Sequence, residues 1–353
     1  MSKILKIEVA VLIVLVLVAV FVRFGFEGQP PMGDSSLQTS QPTDPPTDPP
    51  TDPPTEPPTE PPTEPPTEPP TEPPTESDEV TLTFGDVTME AATYFVYNLT
   101  DDYWMALSSD ADKQVFPASI TKLFTAYVAM KYLDPDAVIT LGNEVYMVEP
   151  DSSLACLAPG QRLTVRQLLA CMLLPSGNDA AYSMAVAAAR AYYGNSGMSE
   201  RQALSAFVDI MNAEAQAQGM TGTHFVTADG YHDFNHYTSC QDLVTIAKLA
   251  LSNWLIKETV SISSMTFTLV SGEEKTLRNT NYLLDPYSPY YCEDAIGLKT
   301  GTTTAAGPCL LSAFEINGDQ ILIGAMACGW AEGRFVETLK LYDLVVEAYA
   351  AME

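Results

Sequence analysis

Apolar and polar positions follow three different patterns along the chain. The first is an unbroken apolar run, Val9–Val22, with Lys3 and Lys6 before it and Arg23 after it. Fourteen residues are short for a bilayer, which needs ~20. Counting from Ile4 to Phe26 supplies that length, with Lys6, Glu8 and Arg23 at the interfaces. The second pattern has no apolar periodicity at all and spans residues 29–79. The third, from Val80 onward, alternates between strand-like and helix-like spacing.

Within that third region, clustered β-formers predict strands at Val80–Phe84 and Ala92–Tyr97. Pro117-Ala118-Ser119 opens a long apolar-periodic segment to Leu133, and proline at its entrance fits a helix start. Further helices are predicted at Val165–Leu174, Asp179–Tyr193, Arg201–Gln218 and Ser239–Leu251, the third of these behind a Ser199-to-Gln202 capping box. Pro308–Ile316 and Gln320–Ala327 flank Asn317-Gly318, a strong hairpin signal. Arg334–Ala350 closes the chain as an amphipathic helix. Strands at both ends with helices between them predict an α+β fold, in which an antiparallel sheet joins the first and last parts beside a helical region.

Charge and composition divide the 353 residues further. The chain carries 45 acids against 17 bases, a formal charge of −28. A surface of that sign excludes phosphate-tracking nucleic-acid binding. Residues 29–79 hold 12 of the acids and no Lys or Arg, and 19 of the 27 prolines lie between Pro30 and Pro74. From Thr43, Thr-Asp/Glu-Pro-Pro repeats eight times. Half of each repeat is proline, which biases the backbone to polyproline II, and one acid per repeat adds self-repulsion. At ~3.1 Å per residue, such a segment reaches on the order of 100 Å. Three units are therefore expected: a membrane signal anchor at 1–28, a disordered linker at 29–79 and a folded domain at 80–353. The basic residues before the span place the amino end in the cytoplasm and the domain outside it, single-pass on the cell membrane. Secretion after cleavage of a signal peptide is the alternative, although Arg-Phe-Gly-Phe-Glu-Gly after Val22 offers no small-x-small cleavage site.

Three short motifs carry chemistry. In Ser119-Ile120-Thr121-Lys122, positions i and i+3 share a helical face, which puts the Lys122 amine within reach of the Ser119 hydroxyl. A serine becomes a nucleophile when a base removes its proton, and a lysine is such a base once burial or a second cation lowers its pKa. In Ser176-Gly177-Asn178, a hydroxyl and a carboxamide two residues apart can point into one cleft; capping of the next helix is the plainer reading of either residue. Lys299-Thr300-Gly301-Thr302, read as an edge strand, offers backbone groups to an extended peptide, an ammonium and hydroxyls for a carboxylate, and a glycine that admits close approach. Each motif alone has an ordinary explanation. Their order and separations, 57 residues from Ser119 to Ser176 and then 123 to Lys299, make the three together hard to explain so.

Together with Ala111-Asp112-Lys113, Leu173-Leu174-Pro175 before the second motif, and the segment Thr223-His224-Phe225 to Asp242-Leu243, these motifs resemble the serine D-alanyl-D-alanine carboxypeptidases, the low-molecular-mass penicillin-binding proteins. The resemblance covers roughly Val80 to Ala350. It implies a β-lactamase/penicillin-binding-protein-like domain, with Ser119 as acyl-enzyme nucleophile, Lys122 as its base and Ser176 completing the catalytic trio. Asn178, Lys299, Thr300, Gly301 and Thr302 would bind substrate, and the backbone amides of Ser119 and Thr302 would form the oxyanion hole. The implied substrate is the peptidoglycan stem pentapeptide, and β-lactams would acylate the same serine. No cofactor is implied. The chain departs from the family where many members continue into a second β-rich domain and a carboxy-terminal membrane helix, since it stops about fifty residues after Lys299.

The remaining candidates are weaker. His224, His232 and His236 fall within thirteen residues, but Gly230 and Asn235 indicate loop rather than a helix that could present metal ligands, so no metal site is expected. The six cysteines lack the spacing of a disulfide framework and read as buried thiols. A class A β-lactamase would need a Glu-x-x-Leu-Asn stretch between Asn178 and Lys299, and none occurs. A penicillin receptor that acylates without turnover would need an output domain, for which the few residues before the span are too short.

Overall fold

The computed structural model describes residues 80–352. The expected membrane anchor (1–28) and repeat linker (29–79) lie outside them. Among the described residues no helix is long and apolar enough to cross a membrane.

The domain begins with β1 (Thr93–Asn98), β2 (Tyr103–Leu107) and the short β3 (Gln114–Val115). A 3₁₀ turn at Ala118–Ile120 leads into α1 (Thr121–Met130), followed by β4 (Val138–Thr140) and β5 (Arg162–Thr164). Then come α2 (Val165–Leu173), α3 (Asn178–Tyr192), α4 (Glu200–Ala217), the two-residue β6 (Thr238–Ser239), α5 (Cys240–Ser252) and α6 (Trp254–Val260). The hairpin β7 (Ser264–Thr268) and β8 (Glu274–Arg278) precedes β9 (Ala295–Thr303), β10 (Gly307–Ile316), β11 (Asp319–Met326) and α7 (Gly333–Ala350).

The main sheet has the order β2-β1-β11-β10-β9, so the first strands of the domain pair with the last. Asn317 and Gly318 both have positive φ, 58° and 92°, as a type I′ turn requires, and this turn sets the Ile316↔Asp319 register of the β10–β11 hairpin. β1 then adds antiparallel to β11, Thr93 opposite Met326. Phe95 pairs with Gly324, where an added Cβ would lie 2.2 Å from the Phe95 ring; the missing side chain makes room for the aromatic.

Period-2 alternation gives the sheet two buried faces. Leu310, Phe314, Ile321 and Ile323 pack with Phe335, Leu341 and Val345 of α7. Leu311, Ala313 and Leu322 face the helical region, whose core includes Phe124, Leu169, Met184 and Phe207. β9 ends the sheet order, and its far edge borders the 3₁₀ turn that carries Ser119.

The α+β class, the hairpin, the pairing of the domain's first strands with its last and the Ser199–Gln202 capping box all match expectation, the box with both of its bonds present. Other features differ. Val80–Phe84 is not a strand: Leu82 N–H bonds Met105 O at 3.0 Å without extending into a ladder, and Leu82 is held by burial instead. The helix expected from Pro117 starts as a 3₁₀ turn. The strand β2, the helix α6 and the hairpin β7–β8 were not anticipated from the sequence.

Candidate active site

The turn before α1 holds the nucleophile under strain. Ala118 has φ of 48°, a left-handed conformation disfavoured for a residue with a Cβ, and it presents the half-buried Ser119 to the cleft. One turn on, Lys122 is fully buried, and its Nζ donates to Ser119 Oγ at 2.8 Å, Asn178 Oδ1 at 2.7 Å and Asp229 O at 2.7 Å. Burial lowers its pKa from 10.5 to about 8, against the opposing pull of the Asp229 and Asp179 carboxylates. Loss of one proton would leave a lone pair facing a hydroxyl already in hydrogen-bond range.

His236 braces this helix start. Its Nδ1 accepts from the backbone N–H groups of Val226 (3.1 Å) and Thr227 (3.3 Å), so Nε2 carries the proton and donates to Thr121 Oγ1 at 2.9 Å. Burial depresses its pKa to about 3, and the ring is neutral. The same loop closes on the nucleophile turn at Gly230, where φ is +80° and a Cβ would meet Ala118 O at 1.9 Å.

Ser176 occupies the turn between α2 and α3 with φ of 62°. Capping does not explain it, because the N-cap of α3 is Gly177 and no side chain caps that end. Asn178 completes its amide with Nδ2–H to Ser152 Oγ at 2.9 Å. The neighbouring Asp179 accepts from Ala155 N–H and Leu157 N–H, each at 2.9 Å, and so ties the loop bearing Ser152 and Ser153 to the start of α3.

β9 forms the opposite wall. A Cβ on Gly301 would lie 2.8 Å from Pro117 O and 3.2 Å from Ser119 N, so glycine lets the strand close on the nucleophile turn. Thr300 Oγ1 bonds Thr280 Oγ1 at 2.6 Å. Lys299 is buried behind this wall, its Nζ donating to Thr300 O at 3.0 Å. Burial first, then the cations of Lys122 and Arg334, hold its pKa well below the ordinary lysine value.

Arg334 is the chief residue that sequence reasoning missed. Its Nη1 donates to Thr302 Oγ1 (2.9 Å) and Gly301 O (3.2 Å), and its Nε to Ala331 O (2.7 Å). A cation in the first turn of α7 opposes the helix dipole, and among the described residues Arg334 has no carboxylate partner. Such an unpaired guanidinium, with Nη2 still free to donate, suits an incoming anion. Thr280 and the Asp229 carbonyl were also missed. The sequence held no signal for any of the three, because each reaches the site through a contact across the fold.

Two cavities meet at Ser119. One, of about 280 Å³, is lined by Ser119, Ser176, Thr280, Thr300, Thr302 and Arg334 among others. The second, of about 220 Å³, takes in Ser119, Asp151, Asn178, Tyr231, His232 and Thr304. The structure therefore brings together Ser119, Lys122, Ser176, Asn178, Thr300, Gly301 and Thr302, with Lys299 beneath them. The three histidines are used separately: His224 Nδ1 bonds Asn235 O at 2.6 Å, His232 stacks edge-on with Phe116 and Phe234, and His236 is structural. Five cysteines are buried thiols and Cys156 is exposed.

This assembly of a buried amine, a hydroxyl and an anion pocket is that of a known enzyme family. A family model described as D-alanyl-D-alanine carboxypeptidase, peptidase S11, matches residues 86–327. The D-alanyl-D-alanine carboxypeptidase of a Streptomyces strain is 35% identical over 242 residues, covering 66% of this chain and 79% of that protein. DacA of Escherichia coli is 32% identical over 272 residues, covering 74% of this chain and 62% of its own length. The crystal structure of a Streptomyces DD-transpeptidase superposes with a TM-score of 0.66 at 30% identity, covering 74% of this chain and 98% of that one. The chain belongs to the D-alanyl-D-alanine carboxypeptidase family of serine peptidases.

Proposed function

We propose that this protein is a serine D-alanyl-D-alanine carboxypeptidase that removes the terminal D-alanine from peptidoglycan stem pentapeptides and is acylated by β-lactams at the same serine. The observation that carries the reading is the Lys122–Ser119 bond at the junction of a cavity walled by Thr300, Thr302 and Arg334. The terminal carboxylate sits against Thr300, Thr302 and the free Nη2 of Arg334. The scissile carbonyl points at the backbone N–H groups of Ser119 and Thr302. Neutral Lys122 takes the Ser119 proton as Oγ attacks the carbonyl carbon, giving a tetrahedral oxyanion. Ser176 passes its hydroxyl proton to the departing amine and takes a replacement from the Lys122 ammonium, the C–N bond breaks, and D-alanine leaves with Lys122 neutral again. Water then adds to the acyl-enzyme by the reverse proton path, releasing the shortened peptide and restoring Ser119.

A β-lactamase reading is weaker. The loop beside Lys122 offers it the Asp229 backbone carbonyl, while the Asp229 carboxylate Oδ1 accepts from Tyr231 N–H at 3.0 Å within the loop. Residues 1–28 and the proline repeats support a membrane-anchored enzyme whose catalytic domain stands off from the extracytoplasmic face; cell fractionation with carbonate extraction tests that placement, and recovery in the soluble culture fluid refutes it.

Incubating the purified protein with diacetyl-Lys-D-Ala-D-Ala should release D-alanine, and Ser119→Ala should abolish the release. Fast turnover of a chromogenic cephalosporin without peptide cleavage would establish the β-lactamase instead. A long-lived penicilloyl adduct with no peptide turnover would establish a receptor.

A further inference from the structure

Ser119, Ser153 and Thr302 line both cavities, which places the nucleophile at their junction. The two arms differ in charge. The first holds the guanidinium of Arg334, with Glu332 also in its lining and Lys299 buried behind it. The second contains no Lys or Arg; its ionisable side chains are Asp151, Tyr231 and His232. β9 runs from Thr300 in the first arm to Thr302 and Thr303 in the second, with Thr304 just beyond it. An extended peptide with its carboxylate at Arg334 and its scissile carbonyl at Ser119 therefore continues, toward its own amino end, into the second arm.

Asp151 is set there with one oxygen engaged. Tyr231 Oη donates to its Oδ1 at 2.9 Å, and Tyr231 N–H is in turn held by Asp229 Oδ1 at 3.0 Å. Among the described residues Asp151 has no cationic partner, and its Oδ2 has no hydrogen-bond partner. The bond to Asp151 raises the pKa of the Tyr231 phenol, and the carboxylates of Asp151, Glu149 and Asp229 push it the same way, so this end of the cleft is negative. A guanidinium with a free donor in one arm and a carboxylate with a free oxygen in the other are complementary to a peptide with a carboxylate terminus and an ammonium upstream of the scissile bond.

We propose that Asp151, oriented by Tyr231, binds the side-chain ammonium of the residue that precedes D-alanyl-D-alanine in the stem. The assignment rests on the carboxypeptidase reading and narrows its substrate class to stems whose third residue is a diamino acid with a free side-chain amine. Acylation of that amine, as in a cross-link or a side branch, removes the charge that Asp151 recognises. The enzyme would then act on stems before a reaction of that class consumes the amine.

The test compares Nα-acetyl-Lys-D-Ala-D-Ala with Nα,Nε-diacetyl-Lys-D-Ala-D-Ala on the purified full-length protein at low salt, reading kcat/KM for D-alanine release. The free-amine peptide should be favoured about fivefold, the size of an interaction with a solvent-accessible carboxylate. That ratio should fall toward one in Asp151→Asn, and also in wild type at high salt. Tyr231→Phe, which keeps the carboxylate but frees it to rotate, should reduce the ratio partway. Acylation of each variant by penicillin reports that the site is folded. Equal rates for both peptides in wild type, or an unchanged ratio in a folded Asp151→Asn, would overturn the subsite while leaving the carboxypeptidase standing. Release of D-alanine from neither peptide would overturn both.

Discussion

Lys122 Nζ lies 2.8 Å from Ser119 Oγ, and Asn178 Oδ1 and Asp229 O take up the other two protons of the ammonium. The base is thus parked in its charged form and acts only after losing one proton. Burial makes that loss accessible, with a pKa of about 8 rather than 10.5. At pH 7 this corresponds to ~10% neutral amine, against ~0.03% for an ordinary lysine. The rate of acylation by a penicillin should therefore climb nearly tenfold per pH unit below about 8 and level off above it. A flat profile from pH 6 to 9, measured by stopped-flow, would rule out Lys122 as the base.

Replacing Lys122 by Arg separates charge from basicity. The guanidinium keeps the cation but stays protonated throughout the working range. Acylation should fall on the order of 10³-fold, the usual worth of a positioned base, with no recovery at high pH. Mass spectrometry of the penicilloyl adduct against time reads this directly.

Arg334 is held by Gly301 O, Thr302 Oγ1 and Ala331 O, leaving Nη2 for the ligand. Arg334→Lys keeps the charge and loses the planar fork. A roughly 10- to 100-fold drop in kcat/KM for D-alanine release is expected, carried mainly by KM. A change confined to kcat would contradict a carboxylate-binding role.

Gly230 is a site where only glycine fits, since φ is +80° and a Cβ would sit 1.9 Å from Ala118 O. Gly230→Ala must move either the loop or the nucleophile turn. The cost should be on the order of 3 kcal/mol in stability, from left-handed strain plus overpacking. Because Asp229 O is the preceding carbonyl, acylation should also slow at least tenfold. Urea unfolding and penicillin kinetics on the same variant check the two effects separately.

His236 makes the fold sensitive to acid. Its folded pKa of about 3 lies below the ordinary 6.5, so the unfolded chain binds more protons between those values. Its contribution to stability is complete above pH 6.5 and is lost progressively as pH falls toward 3. By pH 5 the loss from this residue alone is on the order of 2 kcal/mol. Urea midpoints between pH 7 and 5 should fall less steeply in His236→Asn than in wild type, and parallel slopes would disprove the assignment.

Much of the fold was legible because it depends on local physics. Asn317-Gly318 sets a hairpin through its own φ preferences, Ser199 and Gln202 cap a helix within one turn, and apolar spacing marks the long helices. Val80–Phe84 misled for the converse reason: a β-forming composition does not make a strand without a partner edge to pair with along its length. The same limit explains α6, which packs on α2 and β9 from distant parts of the chain. β2 instead pairs with β1 across a short turn, Asn98 opposite Tyr103, and is a local hairpin that its composition did not reveal.

The sequence by itself determined the chemistry available at Ser119, Lys122, Ser176, Asn178 and Lys299 to Thr302, because reactive groups and their spacing within a turn or strand are local properties. Only the tertiary structure decided that Lys122 is buried enough to be a base, that Lys299 lies behind the cleft wall, and that Arg334 from the last helix completes the anion pocket. Burial and contacts across 33 residues or more, as between Gly301 and Arg334, depend on how the chain packs, and no short-range pattern encodes them.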